Sequence, residues 1–392
     1  MEFKINFSGT GHRYTKEEIN IVAEVMQSAD PLTQGKYRDA FEKKFCQLNG
    51  NEYAFSVCNA TAALEMAAQM CLFKDGDEIV APSHTFTSSV YPFIKKGAKV
   101  LWADIDFDTR VVTLESIKRC ITPNTKAIVV VHLYGFIIPQ IQEIADFAKE
   151  NNILLIEDVA QAMGTSIEGK KAGTFGNFGI FSFHSHKNIT TLGEGGMLTV
   201  KEKKYADIIP MLRHNGHCGF DFEREHYWQP AMGGLALPNL NEEGLMPNNY
   251  CLGEVECALG AKLLDRLDEM NAQKRQRANR FIDELKEFTS LVFHKVEDNK
   301  HNYHLLVCYV KDAKRDEIMK KLVYDKKIKC VVQYYPLNRY PLYSKLGFGE
   351  ANCPNTDEFF DNMISFPFQH WMSDEDFEYM LQSTKEVMME LN

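Results

Sequence analysis

The sequence predicts an α/β protein, with a large domain built on a mostly parallel sheet and a small α+β domain at the C-terminal end. Short apolar runs alternate with helical segments over residues 75–156, which is the pattern of βαβ units. A long amphipathic helix covers 252–287, and a second βα pattern follows it. We therefore place the large domain at 1–265 and the small domain at 266–392, and we expect the N-terminal segment to be able to pack on the small domain.

Apolar positions at helical spacing and short apolar runs define the individual elements. A polar residue at the start and a glycine at the end mark several of the helices. In chain order we predict helices 16–27, 36–48 and 59–73, strand 78–81, helix 89–96, strand 100–102, helix 113–121, strand 127–131, helix 139–151, strand 153–156, helix 203–213, helix 252–287, strand 304–310, helix 315–322, strand 329–333 and helix 375–390.

Composition and charge exclude several classes of protein. The chain of 392 residues is 45% hydrophobic and 25% charged, which is typical of folded globular proteins. Its formal charge of -10, with no local block of Lys and Arg, argues against a nucleic-acid partner. No apolar run reaches membrane-spanning length and the opening residues lack a secretory signal, so we expect a cytoplasmic protein that does not bind membranes. Ten cysteines without a CxxC pair indicate reduced thiols, and we assign no metal.

One segment approaches a nucleotide-binding motif without completing it. Residues 164–171 match GxxxxGK[ST] except at the last position, where Lys171 replaces the hydroxyl that would bind magnesium. We interpret 168–170 as a hairpin turn. No GxGxxG follows a strand, so the sequence supports neither nucleotide hydrolysis nor a dinucleotide fold.

The most informative stretch is 181–188, an apolar strand that leads to Lys187, followed by the glycine-rich turn 193–196. Burial at the end of a strand disfavours a charged amine, which lowers its pKa and leaves a neutral nucleophile able to attack a carbonyl. A solvated surface lysine is the alternative, and for a lone lysine after a strand it is the commoner outcome. Residues at the ends of the other strands distinguish a buried, nucleophilic lysine from a solvated one.

A lysine that forms a Schiff base needs an electron sink. Pyridoxal 5'-phosphate (PLP) is such a sink when an acid keeps its pyridine nitrogen protonated. Asp158, at the end of an apolar strand, suits this task, although Asp often serves only as a cap. Ser182 and the helix start at Thr61 and Ala62 offer donors to a phosphate, and Phe86 is available to cover the ring.

Four segments in this order resemble the sugar aminotransferases of the DegT/DnrJ/EryC1/StrS group, which are PLP-dependent enzymes of the aspartate aminotransferase fold (fold type I). The resemblance extends almost from one end of the chain to the other. The segments are 157–162, 181–188, 193–196 and 249–254. The resemblance implies a large domain with a seven-stranded, mostly parallel sheet and a homodimer with shared active sites.

The resemblance also implies a role for individual residues. Lys187 would form the Schiff base and move the proton, and Asp158 would pair with the pyridine nitrogen. Because Lys187 is present where dehydrating relatives have histidine, the resemblance favours transamination. The remaining cofactor contacts that it implies are Thr61, Ala62 and Ser182 at the phosphate, Phe86 on the ring, Gln161 on the ring-hydroxyl side, and Asn249 from the other subunit.

The reaction implied by the resemblance moves an amino group from a donor, expected to be L-glutamate, to a keto or aldehydo sugar. The product would be an amino sugar for a surface polysaccharide, lipopolysaccharide or related glycan. The chain departs from the family pattern at Ala60, Cys251, Gln333, Asn338 and Gln369. The acceptor therefore stays open between a nucleotide-linked keto sugar and the 8-oxo form of a 3-deoxy-octulosonate sugar acid.

Three histidines are candidate substrate contacts: His186 before the lysine, and His217 and His226 in the loop-rich stretch 216–248. Two other functions are weighed against transamination. One is a PLP-dependent sugar dehydratase or lyase, and the other is a non-catalytic sensor that binds the cofactor.

Overall fold

The computed structural model describes residues 1–218, 234–235 and 245–391. The α-helices in these residues are α1 Lys16–Ser28, α2 Lys36–Asn49, α3 Ala60–Met70, α4 Tyr91–Lys95, α5 Leu114–Lys118, α6 Ile141–Glu150, α7 Lys203–Ala206, α8 Ile209–Arg213, α9 Glu254–Leu263, α10 Leu267–Glu284, α11 Arg315–Lys320, α12 Pro341–Lys345, α13 Pro354–Asn362 and α14 Asp374–Leu391. The strands are β1 Tyr53–Val57, β2 Glu78–Pro82, β3 Lys99–Ala103, β4 Thr125–Val131, β5 Leu154–Asp158, β6 Ser166–Ile167, β7 Lys170–Lys171, β8 Phe178–Ser182, β9 Gly196–Val200, β10 His217–Cys218, β11 Gly234–Leu235, β12 Leu291–Phe293, β13 Leu306–Val310 and β14 Met363–Phe366.

A seven-stranded sheet in the order β1-β9-β8-β5-β4-β2-β3 forms the centre of the molecule. The pairs from β8 through β5, β4 and β2 to β3 are parallel, whereas β9 runs antiparallel to both β8 and β1. Helices pack on the sheet and bury its apolar side chains on both faces. The predicted α/β class with a mostly parallel seven-stranded sheet is confirmed.

A second, antiparallel sheet of β12, β13 and β14 lies in the C-terminal part of the chain. Its apolar side chains pack with those of α10, α11 and α14 into a separate core cluster. The N-terminal residues lie against this part, because Lys4 N–H donates to the carbonyl of Lys327 at 2.9 Å and Lys329 N–H donates to that of Ile5 at 2.9 Å. The division at residues 265 and 266 stays a prediction.

Local sequence signals explain the boundaries of the helices that frame the site. Thr15 caps α1 in a reciprocal capping box with Glu18. Asn59 caps α3, since its side-chain oxygen accepts from the backbone N–H of Ala62 at 2.9 Å. Gly50 ends α2 in the left-handed region at φ 85°. Among the residues that the structure describes, no helix is both long and apolar enough to cross a bilayer.

Several predicted elements differ in detail from the structure. Residues 329–333 form no strand, but make an isolated bridge between Val331 and Ser365, and β14 occupies the third position of the small sheet. The predicted helix 252–287 is two helices joined by a 3₁₀ turn at Leu264–Arg266. The hairpin at 168–170 is confirmed, with Glu168 at its turn.

Candidate active site

The parallel strands end at one edge of the large sheet, and a cavity of about 490 Å³ lies there, as expected for ligand sites in such folds. Strands β2, β5 and β8 deliver polar side chains to it, and the N-terminus of α3 closes one side. Its lining residues are Asn59, Ala60, Thr61, Leu64, Thr85, Phe86, Ser88, Ser89, Val131, Asp158, Ala160, Gln161, Ser182, His184, His186, Lys187, Glu194, Gln333 and Tyr334.

Lys187 lies in the loop between β8 and β9 and reaches into this cavity. The surrounding protein desolvates its amine, which lowers the pKa from 10.5 to about 8, while the charge of Asp158 opposes part of that shift. A lysine with this pKa holds a useful fraction of neutral amine near neutral pH. This desolvation is in line with the amine expected at this strand end, and the role of Lys187 in catalysis stays a prediction.

Asp158 lies across the cavity, at the last position of β5, and is almost fully buried. Its Oδ2 accepts from the Ser89 hydroxyl at 2.7 Å, and its Oδ1 accepts from the backbone N–H of Ala160 at 3.0 Å. Ser89 itself exchanges a hydrogen bond with Thr85 Oγ1 at 3.0 Å. These partners fix the carboxylate while leaving it among the residues that face the cavity.

The neighbouring carboxylate, Glu157, points to the opposite face of β5 and is fully buried. Its Oε1 accepts from the backbone N–H groups of Phe175 and Gly176 at 2.7 and 2.6 Å, and its Oε2 accepts from Gly173 at 2.8 Å. His132 Nε2 lies 3.1 Å from Oε2. These hydrogen bonds to Glu157 therefore fix the segment that leads into β8. The loop that contains Lys187 follows β8.

Gln161 is held at the cavity by aromatic residues from distant parts of the chain. Its Oε1 accepts from the backbone N–H of Tyr134 at 2.7 Å, and its Nε2 donates to the Tyr334 hydroxyl at 3.0 Å. Tyr134 is itself tied to His84, with 2.6 Å between its hydroxyl and the ring Nε2. Hydrogen bonds to both the oxygen and the nitrogen of its amide thus fix the orientation of the Gln161 side chain.

The α3 end of the cavity gathers hydroxyl groups around a helix N-terminus. Thr61 Oγ1 donates to Ser88 Oγ at 3.1 Å, and Ser182 lines the same wall. The start of β9 fits closely here, because a Cβ on Gly196 would come within 2.6 Å of the Asn59 carbonyl carbon and 2.7 Å of the Ala60 nitrogen. This end is suited to an anion, since both the helix N-terminus and the hydroxyls offer donors.

Aromatic and imidazole rings also line the cavity. Phe86 is exposed and meets the Tyr334 ring edge-on, with 6.1 Å between centroids. The rings of His184 and His186 meet edge to face, with 4.9 Å between centroids, and His184 Nε2 is 3.8 Å from the carboxylate of Glu194. Partial burial lowers the pKa of His186, and the nearby His184 and Lys187 lower it further. Among the described residues, Lys187 is the single lysine or arginine that lines the cavity.

The structure brings together seven of the residues predicted from the sequence. These are Thr61, Phe86, Asp158, Gln161, Ser182, His186 and Lys187. Ala62 is not among the lining residues, and its N–H donates to the side chain of the Asn59 cap. Two further predicted residues lie outside the lining: Asn249, which is exposed and forms a β-bridge with His214, and His217, whose ring is tilted by 55° against that of His214 at 4.7 Å. His226 falls outside the described residues.

Sequence reasoning missed several residues of the site. Ser88 and Ser89 continue the polar run after β2, and that run was a usable signal. Tyr334 was not foreseen, because it reaches the cavity from a segment 173 positions beyond Gln161. Nothing local in its sequence links it to this sheet edge.

The lining residues fit PLP. The amine of Lys187 and the carboxylate of Asp158 face one cavity, as a Schiff-base lysine and a partner for the pyridine nitrogen would have to. The hydroxyls of Thr61 and Ser182 lie at the α3 N-terminus, where a phosphate finds donors. Among the described residues, no group of three His, Cys, Asp or Glu side chains is placed to bind a metal ion.

Comparison with known proteins agrees with this geometry. Residues 12–385 match the model of the DegT/DnrJ/EryC1/StrS aminotransferase family. A GDP-perosamine synthase from Escherichia coli O157:H7 is 33% identical over 333 residues, covering 84% of this chain and 85% of the relative. The spore coat polysaccharide biosynthesis protein SpsC from Bacillus subtilis is 30% identical over 379 residues, or 95% of each chain.

A solved structure has the same fold. The PLP-form of a putative sugar aminotransferase, Spr1654 from Streptococcus pneumoniae, superposes with a TM-score of 0.82 at 25% identity, over 99% of this chain and 100% of that one. The family match covers nearly the whole chain and includes every residue of the cavity. The protein belongs to the DegT/DnrJ/EryC1/StrS aminotransferase family and is an aminotransferase.

Proposed function

We propose that this aminotransferase binds PLP at the cavity through Lys187 and transfers an amino group to a sugar. The observation that carries the proposal is the desolvated Lys187 amine, which shares one cavity with the buried Asp158 carboxylate. When bound, PLP supplies an aldehyde that accepts an amine and a ring that takes up electrons. Every other step depends on groups of this chain.

Asp158 would act on the ring nitrogen. A buried carboxylate that faces a protonated pyridine nitrogen stabilises that proton, and Ser89 and the N–H of Ala160 hold the carboxylate in place for it. Gln161, fixed by Tyr134 and Tyr334, would lie beside the ring. Thr61 and Ser182 would bind the phosphate and so set the position of the ring against the lysine.

Lys187 would serve twice. In its neutral form the amine would be the nucleophile that holds the cofactor, and as a free amine it would be the base that moves a proton from the donor Cα. A pKa of about 8 suits both tasks, since the amine gains and loses a proton near neutral pH. The expected donor is L-glutamate.

For the acceptor, a nucleotide-linked keto sugar is the first candidate. The relative at 33% identity is named for a GDP-linked amino sugar, and the other relative for a spore coat polysaccharide. The product would then be an amino sugar for a surface glycan. The 8-oxo form of a 3-deoxy-octulosonate sugar acid is the second acceptor to test, because the chain departs from the family pattern at Ala60, Gln333 and other positions.

The proposed site is shared between two copies of the chain. Asn249 is exposed and lies outside the cavity of its own chain, so its proposed contact with the cofactor would have to be made in a partner subunit. Mixing inactive Asn249→Ala and Lys187→Ala chains should restore part of the activity, because a hybrid dimer retains one intact site. Verified hybrids without any activity would mean that each site is built from one chain.

The central experiment is covalent locking. Purified protein with PLP should absorb in the visible range, borohydride should fix one cofactor on each chain, and peptide mapping should find it on Lys187. Lys187→Ala should not be labelled, whereas Lys311→Ala, which removes a solvent-exposed lysine, should be labelled like the wild type. A wild-type protein that takes up no PLP, or takes it up on another lysine, would refute the proposal.

A second experiment addresses the reaction and its acceptor. Enzyme that has first been converted to the aminated form with L-glutamate is offered nucleotide-linked and free keto or aldehydo sugars, and return of the visible absorption identifies the acceptor. Transfer without release of ammonia distinguishes the aminotransferase from a dehydratase or lyase. If no donor ever changes the spectrum, the protein is a cofactor-binding sensor.

A further inference from the structure

The N-terminal segment 9–14 lies directly over the loop that carries Lys187. The backbone N–H of Gly11 donates to the carbonyl of Ser185 at 2.5 Å, two residues before the lysine. Three residues after the lysine, the hydroxyl of Tyr14 lies 2.7 Å from Thr190 Oγ1. The segment therefore holds the lysine loop from both sides of Lys187.

The contact at Gly11 leaves no room for a side chain. A Cβ built on this residue would overlap the carbonyl oxygen of Lys187 and lie 3.1 Å from its carbonyl carbon and 3.3 Å from that of His186. These are backbone atoms, so they cannot move aside as the end of a flexible side chain would. Gly11 has an ordinary backbone conformation, so closeness to Lys187 explains why glycine is needed here.

The segment is itself anchored at both ends. On the N-terminal side, residues 4–5 are tied to residues 327–329 of the C-terminal part by backbone hydrogen bonds. On the other side, the capping box of Thr15 and Glu18 starts α1, and Glu18 forms an ion pair with Arg266 at 2.6 Å. Between these anchors the buried His12 packs against the ring of His370 at 5.5 Å.

The loop is also held from behind, through the residue that follows the lysine. The Asn188 side chain donates to Asn271 Oδ1 at 2.8 Å and lies 3.3 Å from His304 Nδ1. The buried Lys274 in turn donates to the carbonyl of His304 at 3.0 Å. The backbone at Lys187 thus lies between the N-terminal segment on one side and the α10 network on the other.

We propose that segment 9–14 is a clamp that positions Lys187 for its reaction with the cofactor, with Gly11 and Tyr14 as its positioning residues. The inference builds on the proposed role of Lys187 as the cofactor lysine. A loop connecting two strands would otherwise be free to swing its lysine toward solvent. Because the loop lies between the N-terminal segment and the α10 network, it keeps the Lys187 amine in the cavity opposite Asp158.

The test compares Gly11→Ala with Gly9→Ala in the same segment. A Cβ on Gly9 would have His186 Nε2 as its nearest neighbour, at an ordinary 3.8 Å, so Gly9→Ala is the matched control. Tyr14→Phe is the second test variant, because it removes the hydroxyl that faces Thr190 and keeps the ring. It addresses the clamp even if Gly11→Ala does not fold.

The readout is the reactivity of Lys187 in the full-length chain without added cofactor. Acetic anhydride labels neutral amines, so the pH dependence of labelling at Lys187, followed by mass spectrometry, reports the pKa of that amine. The midpoint should be about 8 in the wild type and in Gly9→Ala. In Gly11→Ala it should rise by roughly one pH unit as desolvation is partly relieved, and in Tyr14→Phe by less. PLP affinity should fall in the same order.

The clamp and the proposed function can be refuted separately. If both test variants keep the wild-type midpoint and PLP affinity and lose only thermal stability, the segment is packing and the clamp is refuted. If borohydride fails to lock PLP on the wild type, the proposed function is wrong, while the labelling series still shows whether segment 9–14 controls the environment of Lys187.

Discussion

Replacing Lys187 with methionine should remove a stability cost that depends on pH. Desolvation in the cavity lowers the pKa of this lysine from 10.5 to about 8. Because each pKa unit corresponds to about 1.4 kcal/mol, holding the ammonium in the folded, cofactor-free chain costs up to about 3 kcal/mol at pH 7.

The destabilisation caused by the Lys187 ammonium decreases as the pH rises. Below pH 8 the amine carries its proton in both the folded and the unfolded chain, so the full cost is present. Between pH 8 and 10.5 the unfolded chain binds more protons than the folded one, and stability therefore rises with pH. The same conversion gives a cost of about 3 kcal/mol at pH 7 and about 1 kcal/mol at pH 9.5, a change of about 2 kcal/mol.

Urea unfolding of the cofactor-free chain at pH 7 and pH 9.5 measures this change. The stability of Lys187→Met relative to wild type should be about 2 kcal/mol more favourable at pH 7 than at pH 9.5. Lys311→Met, at an exposed position, is the control and should show the same small difference at both pH values. Effects of the methionine that do not depend on pH cancel in the comparison, and the attraction between the ammonium and Asp158 is already contained in the pKa of about 8. A Lys187→Met difference that does not change with pH would refute the reasoning.

Three further predictions concern the surroundings of the lysine. Asp158→Asn should still bind PLP but lose at least about 100-fold in turnover, and it should shift the labelling midpoint of Lys187 downward because the carboxylate raises that pKa; an unchanged midpoint and turnover would remove Asp158 from the site. Glu157→Gln should lower the free energy of unfolding by about 2–4 kcal/mol, since three backbone N–H groups lose a charged acceptor, whereas Glu168→Gln at the exposed hairpin should have little effect in the same urea titration. Tyr334→Phe frees one end of Gln161 and should weaken PLP binding several-fold in an absorbance titration, and an equal loss in the neighbouring Tyr335→Phe would contradict this role.

The parts of the fold that were predictable are those whose residues repeat a local period. The helices from α1 to α3 and strands β2 to β5 follow from apolar spacing, and so does their parallel arrangement. Strand β1 and the small-sheet strand β14 were not foreseen, because they gain their partners from residues far along the chain. The extended segment 329–333 looks like a strand by composition, but it has a single bridge partner in the structure.

The residues of the site likewise fall into those that could be predicted from the sequence and those that could not. Lys187 and Asp158 follow strands with clear apolar signals, so their meeting at one sheet edge could be inferred from the parallel pattern. Gly11 could not be recognised, because its importance lies in one close approach to the backbone of Lys187. Tyr334 likewise acts through a single long-range hydrogen bond to Gln161. Contacts of this kind leave no periodic trace in the sequence.

The adjacent carboxylates at the end of β5 show how one strand separates a structural role from a chemical one. Successive side chains of a strand point to opposite faces, so Glu157 and Asp158 must enter different environments. The longer Glu157 reaches three amides of the β5–β8 connection, and those charge-assisted bonds fix the turn that begins β8. The shorter Asp158 stays at the strand end, where two donors hold it and leave it facing the cavity. Since the loop with Lys187 follows β8, the carboxylate on one face of β5 helps to hold the segment that leads to the amine, and the carboxylate on the other face lines the same cavity as that amine.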